Sequence, residues 1–148
     1  MSRISAFLSA KPGDQFRLLI ASALLLSLPF IFPIGSFARI RRVMLRVSER
    51  GEWIVQGTPK YSRVVLAVKV ADSQLPGSRT CLVRSSTAEV LLRLYGFTPE
   101  HRIGVAKEDS GEISAHSWLK LDGEVIIGEL DDLPRFDPLP SLDATEVV

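Results

Sequence analysis

Cysteine is nearly missing from this chain: Cys81 is the one thiol in 148 residues. That excludes an internal disulfide and gives no sign of an oxidising compartment. Histidine is almost as scarce, with His101 and His116 alone, so imidazole chemistry has two possible addresses. Net charge is small as well, and a formal +1 gives no general argument for nucleic acid. The sequence carries no nucleotide-binding loop and no metal-ligand cluster, so no cofactor is expected and any ATP-dependent step belongs to another protein. Charge is missing altogether from Leu18 to Ala38. On length alone that run fits a transmembrane helix or the apolar part of a signal peptide.

What is present points elsewhere. The length suits one domain with one sizeable core, and 46% apolar against 24% charged residues is an ordinary globular balance. Pro29 and Pro33 interrupt the uncharged run, Gly35 follows, and Ser22, Ser27 and Ser36 dilute it. The pattern predicts a helix from about Asp14 to Leu28, a proline-marked turn and a second helix from about Ser36 to Val47. That second helix sets Phe37, Ile40, Val43, Met44 and Val47 along an apolar stripe, with Arg39, Arg42, Arg46 and Arg50 largely off it. The preferred reading is a buried or partner-facing helical hairpin rather than a membrane contact. Residues 1–50 hold eight Lys/Arg against two acids, whereas the tail after Leu130 is acidic. The arginine run is read as a solvated face, with docking of an acidic partner as the alternative.

The chain is organised around Pro76-Gly-Ser-Arg-Thr-Cys81-Leu-Val-Arg-Ser85. Before it, Pro59 opens an amphipathic helix with Tyr61, Val64, Val65, Val68, Ala71 and Leu75 at helical spacing. Pro76 and Gly77 end that helix, and Thr80 is a suitable N-cap for the next. Leu82, Val83, Val90, Leu91 and Leu94 then recur at helical spacing until Gly96, a natural stop. Cys81 therefore falls in the first turn of a helix, where unpaired N–H groups and the macrodipole favour negative charge and so a reactive thiolate. A buried, inert cysteine at the start of a core helix is the other reading.

Beyond Gly96 the period becomes two. Strands are expected over His101–Lys107, Glu112–Leu121 and Glu124–Leu130, with a turn at Glu108–Gly111 and a tight hairpin at Asp122-Gly123. His101, at a strand start, is expected to be exposed. If Asp122-Gly123 is a two-residue loop, counting outward from Leu121 and Glu124 sets His116 opposite Glu129. Their Cβ atoms would then lie about 5 Å apart on one face. The parts assemble into nucleophile Cys81, base His116 and orienting acid Glu129, with the backbone N–H groups of Cys81 and Leu82 as the oxyanion site. A register slip of one residue would turn Gly128 or Leu130 toward His116 instead, and Asp131 and Asp122 are second choices for the acid. Trp118 shares the face of His116 and is read as core. After the third strand, a coil with Pro134, Pro138 and Pro140 closes the chain.

A resemblance bears on these parts. Thr80-Cys-Leu-Val-Arg-Ser85, Leu91-Leu-Arg-Leu-Tyr-Gly96, Ile103-Gly-Val105 and Ala115-His-Ser-Trp-Leu-Lys-Leu-Asp-Gly123 together resemble the stand-alone lasso-peptide leader peptidases. These belong with the C-terminal domain of the microcin-processing B proteins and are similar in fold to transglutaminase-like and papain-like cysteine enzymes. The likeness runs from about Asp14 to Leu142 and takes in Arg39-Ile-Arg-Arg42 and Arg135-Phe-Asp-Pro-Leu139. It implies an α+β fold in which N-terminal helices precede a cysteine-bearing helix packed on a small antiparallel sheet. It also implies a cytoplasmic cysteine peptidase that frees a ribosomally made core peptide for macrolactam closure. The expected partners are the precursor peptide, a separate leader-recognition protein and an ATP-using cyclase. The chain has no room for a further recognition domain ahead of the helical region, which fits that split arrangement. The family's nucleophile falls on Cys81 and its base on His116. Its usual aspartate falls on or beside Gly128, leaving Glu129 as the nearest substitute, and Ser117 stands where a small apolar residue is common.

The expected organisation is a tail at 1–13, a single peptidase domain at 14–142 and a mobile tail at 143–148. Within the domain, residues 14–58 form the helical, partner-docking part and 59–142 the catalytic part. Two other functions stay open: amide transfer by the same triad, and a non-catalytic, membrane-associated scaffold with an incidental cysteine.

Overall fold

The computed structural model describes residues 12–51, 59–129 and 133–139. Most of the expected N-terminal tail, the later part of the 48–58 connection, Asp131 and the mobile tail lie outside them. Four helices, α1 (Pro12–Ile31), α2 (Phe37–Arg50), α3 (Tyr61–Gln74) and α4 (Cys81–Leu94), precede a four-stranded antiparallel sheet. Its strands are β1 (Glu100–Lys107), β2 (Ile113–Leu121), β3 (Glu124–Ile127) and β4 (Asp137–Pro138), in the order β3-β2-β1-β4. This is the α+β arrangement the pattern implied.

α4 is the hub. It packs against α1, α2, α3 and β2, and Val83, Ala88, Leu91 and Leu92 join Ala21, Leu25, Leu28, Val64, Val68, Leu119 and Ile127 in one apolar core. Thr80 caps it, its hydroxyl accepting the Val83 N–H at 3.3 Å. At the far end Gly96, with φ of 88°, lets the Gly96 and Phe97 N–H groups turn back onto the Arg93 and Leu92 carbonyls. The small and short polar residues Ser85, Ser86, Thr87 and Ala88 are all buried, which brings the neighbouring elements close around this helix.

The N-terminal hairpin departs from expectation in two ways. α1 carries Pro29 inside its last turn and runs on to Ile31, with Pro33 in the following turn. More consequentially, α2 buries the expected stripe only in part: Phe37, Ile40 and Met44 are half-buried, with Met44 against the core. Its buried residues are Arg41, Leu45 and Ser48, while Val43 and Val47 are 55% and 65% exposed. Arg41 turns inward because a carboxylate waits for it: Nε and Nη2 bond the two oxygens of Glu89 on α4 at 2.9 and 2.6 Å. A bidentate pair of this kind keeps a buried guanidinium tolerable, and a lone one would not persist.

In the sheet, Asp122 and Gly123 take φ of 51° and 86°, the two left-handed positions that a two-residue hairpin needs. The ladder starts at Leu121 and Glu124 as expected, but Lys120 pairs with Val125 and Leu119 with Ile127. A bulge therefore sits between these pairs and shifts everything beyond it by one residue. The C-terminal coil also gains structure: Pro138 and Asp137 pair with Gly104 and Val105 on β1.

Candidate active site

Cys81 is the first residue of α4 and is half-buried. The loop that delivers it is clasped by Arg79, a residue the sequence reading left unassigned. Arg79 pairs with the Asp72 carboxylate on α3 and donates to the carbonyls of Asp72 at 2.9 Å, Pro76 at 3.0 Å and Gly77 at 3.2 Å. Arg84 then holds the Arg79 carbonyl at 2.7 Å. A cation on the last carbonyls of α3 suits both their unmet acceptors and the helix dipole. In the first turn of α4 the Val83 N–H goes to the Thr80 hydroxyl and the Arg84 N–H to the Thr80 carbonyl. The N–H groups of Cys81 and Leu82 are the ones that cap and helix leave over.

His116 stands on β2, half-buried, on the sheet face that also carries Trp118. Its ring is nearly parallel to the Trp118 indole, with centroids 6.1 Å apart and planes 18° apart, and lies 5.6 Å from the Phe136 ring. Trp118 is 5% exposed and packs with Ala106 and Phe136, so it is core, as read. A Cβ on Gly104 would lie 2.8 Å from the indole; the glycine makes room for it. Nε2 of His116 lies 2.6 Å from the Gly128 carbonyl oxygen. A carbonyl only accepts, so Nε2 carries the proton and Nδ1 is the nitrogen left to exchange one.

Here the expected triad and the geometry part. His116 bonds a main-chain carbonyl, and Glu129 is exposed, lining an open groove of about 310 Å³ with Tyr61, Ser62, Val65, Leu66 and Lys69 of α3. The bulge moves β3 one residue along β2, and the strand, expected to run to Leu130, ends at Ile127 before a left-handed Gly128, so Glu129 is not carried opposite His116. Asp122 sits exposed at the hairpin tip. Gly128 is needed where it is: its φ is 85°, and a Cβ there would lie 2.6 Å from the Ser117 oxygen and 2.9 Å from Trp118. That close approach is what carries its carbonyl to the imidazole.

Cys81 and His116 make no hydrogen bond to each other in this structure. Their elements are joined one turn further along α4, where the Ser85 hydroxyl donates to the Ser117 carbonyl at 3.2 Å. Ser85 follows Cys81 by four residues, about 6 Å along the same helix face.

The second histidine overturns its expectation outright. His101 is 0% exposed, on the helix-facing side of β1. Its Nδ1 meets Glu89 Oε1 at 3.0 Å and its Nε2 meets the Ser117 hydroxyl at 2.6 Å. Burial pushes the Glu89 carboxyl upward, but the hydrogen bonds and charges of His101 and Arg41 outweigh it and hold the group below its ordinary value. The line Arg41–Glu89–His101–Ser117 thus crosses the core and ends on the residue after His116. Among the described residues no group of three or more metal-ligating side chains is assembled.

No curated protein and no solved structure matches this chain. A protein-family model does match, that of the transglutaminase-like superfamily, over residues 23–141. Members of that superfamily are generally cysteine peptidases or acyltransferases. The matched span takes in Cys81, His116 and Gly128 and most of the fold around them, and the chain belongs to the transglutaminase-like superfamily.

Proposed function

We propose that this protein is a cysteine peptidase that removes the leader from a ribosomally made lasso-peptide precursor, ahead of ring closure by a partner cyclase. The observations that carry the chemistry are a thiol at a capped helix start, Cys81, and on β2 an imidazole whose Nε2 proton is spent on Gly128, leaving Nδ1 as the working nitrogen. The motif spacing around Thr80–Gly96 and Ala115–Gly123 supports the substrate class.

In this reading Nδ1 of His116 takes the Cys81 thiol proton and the thiolate attacks the scissile carbonyl carbon. The oxyanion forms against the Cys81 and Leu82 N–H groups. Collapse of the tetrahedral species breaks the C–N bond, and imidazolium His116 gives its proton to the leaving amine. Water, losing a proton to His116, then attacks the thioester and releases the leader's new carboxylate together with the thiol. The Gly128 carbonyl orients the imidazole without adding a negative charge beside it, so this base works with less electrostatic help than a carboxylate would lend. The reading includes a leader-recognition protein that presents the precursor and a cytoplasmic site of action.

The test is mass spectrometry of a precursor peptide encoded beside this protein, incubated with the protein and its recognition partner. A leader-sized loss with wild type and none with Cys81→Ala supports the peptidase. Joining of the acyl fragment to an added amine, in place of hydrolysis, moves the assignment to amide transfer. An intact precursor in every sample, with the partner bound, overturns both.

A further inference from the structure

From Leu18 onward α1 is uncharged on every side, yet the fold covers only part of it. From Leu18 to Ala38 there is no charged residue. The most apolar 18-residue window along Pro12–Ile34 has a mean hydropathy of 2.0 and is 22% buried. A helix on a solvated surface ordinarily sets charges on its outer side; this one does not. Its inner side is committed, with Ala21, Leu25 and Leu28 0% exposed in the core. The outer side shows Leu19 at 60% and Leu26 at 47% exposure, and the two most exposed large apolar residues, Phe30 at 78% and Ile34 at 82%, stand at the turn into α2.

Directly after that turn comes a row of positive charge. Arg39, Arg46 and Arg50 are exposed and Arg42 is half-buried, and Val43 and Val47 lie exposed between them. Arg17 and Arg41 are already paired with Asp14 and Glu89. No ion pair involves Arg39, Arg42, Arg46 or Arg50 among the described residues, and Glu49 is the one acid on α2.

We infer that the α1–α2 hairpin seats this protein on the surface of an anionic membrane. Phe30 and Ile34 enter the acyl boundary, and Arg39, Arg42, Arg46 and Arg50 meet lipid phosphates. Hydrocarbon answers the uncharged tip and phosphate answers the guanidinium row, two demands that one lipid leaflet meets together. A second copy answers them poorly, because a two-fold contact across this face would set arginine row against arginine row. A spanning helix is also unsuitable, since α1 would have to withdraw Ala21, Leu25 and Leu28 from the core.

The experiment is co-sedimentation with vesicles of phosphatidylcholine alone and of phosphatidylcholine with added phosphatidylglycerol. The same full-length chain is compared with the double variant Phe30→Asp/Ile34→Asp and with Arg46→Glu. Wild type is expected on the anionic vesicles and about tenfold or more weaker on neutral ones. The double variant is expected to lose at least about tenfold while melting like wild type, because neither side chain is in the core. Arg46→Glu is expected to narrow the preference for anionic lipid. Absence of wild-type binding to either vesicle overturns the inference, and so does binding that the double variant leaves unchanged. A dimer seen by light scattering, or a complex with the leader-recognition protein, that the double variant breaks in the absence of vesicle binding also overturns it. None of these readouts depends on peptidase activity.

Discussion

The two histidines of this chain make the most instructive comparison. They lie on neighbouring strands of one sheet and on opposite faces. His101 has the set of partners usually associated with catalysis, a carboxylate on one nitrogen and a serine hydroxyl on the other. It is also wholly enclosed, so no substrate reaches it, and its carboxylate is shared with a buried arginine. His116 has a plainer partner, one main-chain carbonyl, but stands half-buried with one nitrogen uncommitted. Access and an available lone pair decide which imidazole can do chemistry; a carboxylate partner does not. The richer network does structural work, tying α2 to α4, β1 and the strand that holds the other histidine.

The comparison can be broken most directly at the imidazoles themselves. Under the peptidase reading His116→Ala should cut precursor cleavage by about 100- to 10,000-fold and leave thermal melting close to wild type. His101→Ala should chiefly lower the melting temperature. If cleavage fails equally in both while melting moves in neither, the division of labour is wrong. Next in size is Arg41→Met, which takes the bidentate cation away from the buried Glu89 carboxylate. It should cost about 3–5 kcal/mol, read by urea unfolding, with no role for substrate. The pH dependence of stability is a gentler probe. Glu89 is held below the ordinary carboxylate value by His101 and Arg41, so its contribution is complete above that value. It should be lost as pH falls below it toward the folded-state value, and Glu89→Gln should flatten this acid limb. The smallest effect is expected from Glu129→Gln. With its side chain on the α3 side of the sheet, cleavage should change by less than about twofold, within the range of ordinary surface substitutions. A loss as large as that of His116→Ala would restore Glu129 to the site.

Much of this architecture was legible in the chain. Proline, glycine and capping residues marked α3 and α4 closely, because those signals act within a few residues. Asp122-Gly123 named the hairpin for the same reason. What escaped reading depends on partners distant in sequence. The bulge between Leu119 and Lys120 carries no local signature; with the end of β3 at Ile127 and the left-handed Gly128, it separates His116 from Glu129. The inward turn of Arg41 is decided by Glu89, a residue 48 positions away, and it rotates α2 so that Val43 and Val47 face outward. His101 read as an exposed strand end because nothing near it in sequence announces Glu89 or Ser117. Nothing local to Phe136 announces its place against the imidazole, which follows from the short β4 pairing that brings Arg135–Leu139 back to β1.

The stacking of Trp118 on His116 has a spectroscopic consequence. The chain has two tryptophans, Trp53 and Trp118, and a protonated imidazole against an indole face quenches its emission. A Trp53→Phe variant would therefore report the charge state of His116 through the fluorescence of a single native residue, without label, substrate or turnover.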